Sequence, residues 1–389
     1  MTLSRRAKEV SPSATLQITA SAKRMIKEGK DVIAFGVGEP DFDTPDPIKN
    51  AAIAAIQSGF TKYTPTSGIL ELKEAIARKL KADNGLEYNP SSVIVSCGAK
   101  HSIYNTIQVL VDEGDEVLIP IPYWVSYPEM VSLAGGKPVF IPTTLKEDFK
   151  INANTLKKFL TKKTKILLLN SPSNPCGVVY RKGELEALAE FCVKNNIICI
   201  SDEIYEKIIF DGIKHVSIAS LSDKIKKLTV TVNGFSKSYS MTGWRLGYLA
   251  AEQEIVDAVS RIQDHSTSNP TSIVQKAALA ALAMDNKFFD EIIVKFQKRR
   301  DYIISRLDKM KDRIGYKKPE GAFYIFCDIK KTNMDSFTFA KRLLEEKFVA
   351  VIPGAPFGCR DYVRISFATS MEKIKIGFDR IEEWLGSLS

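Results

Sequence analysis

Between residues 46 and 285, short runs of branched apolar residues alternate with segments whose apolar positions recur at intervals of three and four. This alternation limits the possible folds more than any other feature of the chain. Val93 to Ser96, Glu116 to Ile119, Lys137 to Ile141, Lys165 to Leu169, Ile197 to Ser201 and Leu228 to Val232 read as short buried strands. Ile48 to Gln57, Leu70 to Lys81, His101 to Val111 and Leu185 to Lys194 read as helices between or before them. Such a pattern predicts an α/β fold, with a mainly parallel sheet between layers of helices.

After a helical stretch from Ser272 to Met284 the character changes. A long charged helix is expected over Lys287 to Met310, then strands around Phe323 to Cys327 and Val363 to Phe367, then a final helix from Met371. At 389 residues the chain exceeds the size at which a single core keeps growing. The expected organisation is a large domain over 46–285 and a smaller α+β domain built from 1–45 and 286–389. The N-terminal part, with a helix predicted over Ala14 to Glu28, is too short to fold alone and is assigned to the smaller domain.

The formal charge of +9 raises the question of nucleic acid or an anionic membrane. The basic residues are scattered in pairs such as Lys157 and Lys158 or Arg299 and Arg300, with no long run of like charge, so a solvated surface is the expectation. Neither nucleic acid nor membrane is expected as a partner. Six cysteines form no CxxC pair and have no histidine at metal-ligand spacing, which points to no metal and to a reducing compartment. With no apolar h-region near the N-terminus and no apolar run of membrane-spanning length, a cytoplasmic location is expected.

In an open parallel sheet, ligands sit beyond the carboxyl ends of the strands. Four such ends carry chemistry here. Val93 to Ser96 runs into Cys97-Gly98-Ala99-Lys100 and a helix, which offers backbone N–H groups to a phosphate, although a tight turn alone would also explain Gly98. Lys165 to Leu169 ends in a loop where two prolines and Gly177 hold Asn174, either as a simple turn or with its amide facing a ligand. Ile197 to Ser201 is followed by Asp202, Glu203 and Tyr205. A carboxylate at the end of a buried strand requires a cation, either a Lys or Arg or a protonated ring nitrogen. Leu228 to Val232 leads to Ser236, Lys237 and Arg245. A lysine among other cations in a pocket has a lowered pKa and can form a Schiff base, and Arg245 can return to the same pocket as a bidentate phosphate partner.

Taken with GEPDFDTP (38–45), KYTP (62–65), YWVSYPEMV (123–131), NSPSNPCG (170–177), NGFSKSYSMTGWRLGY (233–248), EGAFY (320–324) and VRISFATS (363–370), these loops resemble the fold type I pyridoxal-phosphate enzymes. The detailed similarity is to class I aminotransferases of the aspartate aminotransferase kind, and it covers nearly the whole chain. The resemblance implies pyridoxal 5'-phosphate as cofactor, carried by Lys237 as a Schiff base, with the freed amine later moving the proton. It implies Asp202 as partner of the ring nitrogen, Asn174 and Tyr205 as partners of the ring oxygen, and Trp124 stacked on the ring. Ala99, Lys100, Ser236 and Arg245 would hold the phosphate, with Tyr63 reaching it from the other subunit of a homodimer. Arg364 would clamp the substrate α-carboxylate, assisted by the Gly38 backbone, with Trp124 and Asn174 also facing substrate. Cys176 and Gly234 depart from the family, which commonly has Thr and Ser there.

Lys100 matches the position that would contact a distal carboxylate, which favours aspartate with 2-oxoglutarate, by a ping-pong mechanism. Ser11, before Pro12-Ser13-Ala14-Thr15, stands where prephenate-accepting relatives often carry lysine, and this lowers the expectation of that activity. An aromatic or prephenate-accepting aminotransferase, or a β-lyase, on the same fold is the competing expectation. A transcriptional regulator with an aminotransferase-like domain would need a DNA-binding module, and about forty residues before the cofactor domain carry no helix-turn-helix pattern.

Overall fold

The computed structural model describes the chain except residues 1, 5, 6, 9, 11–13, 286 and 389, and the side chains of 14–17 and 19 are likewise not described. Its centre is a seven-stranded sheet in the order Val93–Ser96, Gly247–Ala250, Thr229–Gly234, Ile198–Asp202, Thr164–Asn170, Glu116–Pro120, Lys137–Ile141. Gly247–Ala250 pairs antiparallel with both neighbours, and the remaining pairs are parallel. Six strands therefore share one direction, and their carboxyl ends share one edge of the sheet.

Strands buried on both faces explain the continuous apolar runs. In Thr164–Asn170, Ile166 and Leu168 face one core with Ile103, Ile107, Val256 and Val259, from the helices Ala99–Leu110 and Gln253–Asp264. Leu167 and Leu169 face the opposite core with Leu185, Leu188 and Cys192 of the helix Lys182–Asn195. This is the period of two expected of a strand with a helical layer on each side.

A four-stranded antiparallel sheet runs Ile352–Pro353, Tyr362–Ser366, Tyr324–Asp328, Gly315–Tyr316, and Ile33–Ala34 pairs parallel with Val349–Ala350. The helix Ala14–Lys27 lies near this last pair through Ala22, which clusters with Val32, Leu344 and Ala350. Here the chain ends regular elements by familiar means. Asp335 accepts from the N–H groups of Phe337 and Thr338 at the start of Ser336–Lys347, and Gly85 closes Leu70–Asn84 in the left-handed region at φ 66°.

Several boundaries differ from the sequence reading. The helix expected from His101 begins at Ala99, because Gly98 at φ 93° turns the chain directly out of the strand. The long helix ends at Leu307, and Asp308–Met310 tightens into a 3-10 turn. The strands expected over Phe323 to Cys327 and Val363 to Phe367 run over Tyr324–Asp328 and Tyr362–Ser366. Gly247–Ala250 was not anticipated as a strand. It is a four-residue segment held between two others, and Gly247 lets it approach the turn at Gly98, since a Cβ there would stand 2.3 Å from the Ala99 nitrogen.

Candidate active site

The carboxyl ends of the strands open into a cavity of about 950 Å³. Its lining includes Gly38, Ala99, Lys100, Trp124, Asn174, Asp202, Tyr205, Ser236, Lys237, Arg245 and Arg364. Every site residue expected from the sequence is thus brought to one place except Tyr63, which is 91% exposed and is not among the residues lining this cavity.

Lys237 follows the strand Thr229–Gly234, and its Nζ donates to the Gly38 carbonyl at 2.6 Å. Burial lowers its pKa to about 8, with Arg364 and Arg245 pushing in the same direction. The amine is therefore available near neutral pH, which the ordinary value of 10.5 would prevent. Gly38, expected to assist a carboxylate through its backbone, meets Lys237 through its carbonyl.

Asp202 ends the neighbouring strand and is 5% exposed. Among the described residues it makes no ion pair. Tyr127 donates its hydroxyl to Oδ2 at 2.7 Å and the Ile204 N–H donates to Oδ1 at 3.2 Å. Burial raises the carboxyl pKa to about 6, against these hydrogen bonds. The buried partner that a Lys or Arg would provide is missing, and a protonated ring nitrogen fits that requirement. Tyr127 was not anticipated. It lies three residues beyond Trp124, and their rings meet edge-on at 5.3 Å.

Arg364 is 3% exposed and has no carboxylate partner among the described residues. Its Nη1 donates to Asn174 Oδ1 at 3.0 Å and its Nη2 to the Gly36 carbonyl at 2.9 Å, while Nε is buried without a partner. Its guanidinium lies over the Tyr324 ring, 4.4 Å from the centroid, and the Tyr324 hydroxyl meets that of Tyr205 at 2.9 Å. Burial lowers the Arg364 pKa and raises that of Tyr205 well above the ordinary range. A buried guanidinium held by neutral acceptors, with an unsatisfied N–H, is a site for an anion.

The opposite end suits a phosphate. The Ala99 and Lys100 amides open the helix Ala99–Leu110, whose first turn closes with His101 donating to the Gly98 carbonyl. Arg245, at φ 56°, donates to the Cys97 and Thr242 carbonyls at 3.2 and 3.0 Å and packs so closely that a Cβ on Gly98 would lie 2.6 Å from its Nη2. Ser236 lines the same cavity. Lys100 places its ammonium 4.8 Å from the Trp124 ring centroid, and partial burial and Arg245 lower its pKa.

Both departures from the family are accounted for locally. Cys176 lies outside this cavity, its Sγ 2.8 Å from Ser173 Oγ, and burial pushes its thiol up to about 11, so it stays protonated. Gly234 sits opposite Gly247 in the sheet, and a Cβ there would approach the Gly247 Cα to 2.9 Å, which leaves no room for serine. Ser11 lies outside the described residues.

One cluster could suggest a metal: Glu203, Glu206 and His215 bring ligand atoms within 4.8 Å of one another. Protein groups already occupy them. His215 Nε2 and the hydroxyls of Ser201 and Ser217 bind Glu203, and Lys79 and Asn84 bind Glu206. No helix among the described residues is long and apolar enough to cross a membrane.

Comparison with known proteins agrees with this geometry. The model of the family "Aminotransferase class I and II" matches residues 30–381. An aspartate aminotransferase of Bacillus subtilis is 48% identical over 99% of both chains. A probable aspartate/prephenate aminotransferase of Aquifex aeolicus is 46% identical over 98% of both. The structure of an aspartate aminotransferase from Thermus thermophilus with maleate has a TM-score of 0.94 at 40% identity, covering 98% of this chain and 99% of that one. The family match, the two relatives and the solved structure together give one conclusion: the chain belongs to the class I and II aminotransferases, has the fold type I architecture, and works with pyridoxal 5'-phosphate.

Proposed function

We propose that the chain transfers the amino group of aspartate to 2-oxoglutarate, giving oxaloacetate and glutamate, with the first product leaving before the second substrate enters. The observation that carries this reading is the pairing, in one cavity, of Asp202, which makes no ion pair among the described residues, and Lys237 with its amine lowered to about 8.

When bound, pyridoxal phosphate supplies an aldehyde for the amino group and a ring that withdraws electrons from the substrate Cα. The residues of the chain do the rest. Asp202 holds the proton on the ring nitrogen, and Tyr127 and the Ile204 amide keep its carboxylate oriented. Asn174 and Tyr205 would hydrogen-bond the ring oxygen, and Trp124 would stack on the ring. The amides of Ala99 and Lys100, with Ser236 and Arg245, hold the phosphate. Lys237 anchors the cofactor and, once free, removes the proton at Cα and returns it on the other side of the transfer. Arg364 and the Gly38 backbone position the α-carboxylate, with Asn174 and Trp124 beside it, and Lys100 faces the distal carboxylate. The Thermus relative was solved with maleate, itself a dicarboxylate, which supports two cationic positions in such a cavity.

The cofactor domain in this reading spans 46–285, because the whole seven-stranded sheet lies between Val93 and Ala250, and 1–45 with 286–389 form the smaller domain. The enzyme acts as a homodimer. Tyr63 at 91%, Leu70 at 60%, Ile56 at 54% and Ile53 at 50% exposure leave apolar surface for a second copy, whose cofactor phosphate Tyr63 reaches. A cytoplasmic setting suits the six free thiols. The Aquifex relative's name supports prephenate as an acceptor in the second reading, that of a prephenate-accepting or aromatic aminotransferase. Rates with aspartate, phenylalanine, tyrosine and cystathionine, each with 2-oxoglutarate, separate the two: aspartate leads, and negligible turnover of aspartate refutes the assignment.

A further inference from the structure

Tyr63 stands on the segment from residue 62 to residue 69, which has no regular structure of its own, yet this segment is anchored at almost every second residue. Ser272 Oγ donates to the Lys62 carbonyl at 2.6 Å, and Gln275 Nε2 donates to Thr64 Oγ1 at 2.9 Å. Gln263 Nε2 donates to the Thr66 carbonyl at 2.8 Å, and the Val95 N–H donates to the Ser67 carbonyl at 2.9 Å. At the far end Gln275 Oε1 accepts from the Ile69 N–H at 2.8 Å. Residues 62, 64 and 66 are thus tied inward, while Tyr63 and Pro65 between them stay exposed.

Two of the anchors are wholly buried glutamines, and both are saturated. Gln275 also donates to the Pro270 carbonyl at 2.8 Å. Gln263 also donates to the Val95 carbonyl at 2.8 Å and accepts from Ser96 Oγ at 2.9 Å. Burying a primary amide is unfavourable unless its hydrogen bonds are made, and here those bonds go to the exposed loop, to the strand Val93–Ser96 beside it, to the Pro270 carbonyl and, at Gln263 Oε1, to Asn105 Nδ2 at 3.3 Å. Gly68, at φ 100°, completes the fit, since a Cβ would lie 2.6 Å from Val95 Cγ2 and 3.4 Å from Gln275 Oε1. An aromatic side chain held out into solvent on a rigid backbone loses little further backbone freedom when it binds.

We infer that Gln275, with Gln263 and Ser272, is a positioning residue that presents Tyr63 to the active site of a second copy of this chain. The inference rests on the reading of Tyr63 given above. It locates the determinant of cofactor retention in one subunit at residues of the other that touch neither cofactor nor substrate.

The test is a double-mutant cycle on the loaded enzyme, read as the dissociation constant of pyridoxal phosphate and the dimer dissociation constant. Gln275→Leu and Thr64→Val each remove the bond to the Thr64 hydroxyl; Thr64 is only half-buried, whereas Gln275 is wholly buried, so the Thr64 variant keeps the test intact if Gln275→Leu fails to fold. In the parent each variant is expected to raise the cofactor dissociation constant about three- to tenfold, the size of one hydrogen bond. In a Tyr63→Phe background the same substitutions should raise it less than twofold further, because the hydroxyl they position is gone. A Tyr63→Phe variant that weakens cofactor binding while folded Gln275 and Thr64 variants do not overturns the inference and leaves Tyr63 in place. Equal weakening in both backgrounds also overturns it, as that marks a purely structural role. Unchanged cofactor binding in Tyr63→Phe removes the reading of Tyr63 and the inference together.

Discussion

Asp202→Asn should stabilise the cofactor-free protein and disable the loaded one. In the fold the Asp202 carboxyl is pushed up from its ordinary 3.8 to about 6, chiefly by burial. A group whose folded pKa is raised contributes its stability below the unfolded pKa and loses it as pH rises through the folded one. The carboxylate therefore costs the empty protein stability increasingly as pH rises from about 4 to about 7, and in full above that. At 1.36 kcal/mol per pKa unit the cost reaches about 3 kcal/mol by pH 8 and is roughly half of that at pH 5. Asparagine has the same shape, still accepts from the Ile204 N–H, and can donate to the Tyr127 oxygen where the carboxylate accepts. Urea denaturation of the cofactor-free variant and parent, at one protein concentration and at pH 5 and pH 8, measures the difference. The variant should be more stable by about 3 kcal/mol at pH 8 and by about half that at pH 5. With pyridoxal phosphate bound the order should reverse, since only the carboxylate pairs with the ring proton. A stability difference that does not change with pH, or an asparagine variant less stable at pH 8 without cofactor, refutes the account of Asp202.

Tyr127→Phe removes a hydrogen bond that favours the Asp202 anion, so the Asp202 pKa should rise by about one to two units and cofactor affinity at neutral pH should fall about tenfold. Equilibrium cofactor titration checks this, and an unchanged dissociation constant contradicts it. Arg364→Lys keeps the charge but not the planar fork, and kcat/KM for aspartate should drop about ten- to a hundredfold. Steady-state kinetics that leave kcat/KM within twofold of the parent remove Arg364 from the carboxylate site.

The seven-stranded sheet was legible because its strands are buried on both faces and so read as unbroken apolar runs; the missing one, Gly247–Ala250, opens on a glycine, carries no β-branched residue and follows directly on the loop of Lys237 and Arg245. The cavity residues were legible because they follow strand ends, where Asn174, Asp202 and Lys237 each sit within a few residues of an apolar run. What stayed hidden depends on approach in three dimensions. Nothing in the spacing of Tyr127 shows that its hydroxyl crosses to Asp202, and a tyrosine on a short helix reads as packing. Gln263 and Gln275 read as the polar faces of helices, although the fold turns both inward onto the loop that carries Tyr63. The exposure of Tyr63 could not be read from KYTP either, since a tyrosine between a lysine and a threonine, two residues before a proline, suits a turn equally well.

The central claim, that Lys237 and its neighbours carry an amino group from aspartate through a bound cofactor, is tested most directly by a half-reaction. Enzyme loaded with pyridoxal phosphate is mixed with aspartate and no acceptor, and oxaloacetate is counted per subunit. The account predicts close to one equivalent of oxaloacetate, then no more until 2-oxoglutarate is added, and no such release from Lys237→Ala. Continued turnover without an acceptor, no oxaloacetate at all, or a Lys237→Ala variant as fast as the parent would contradict it.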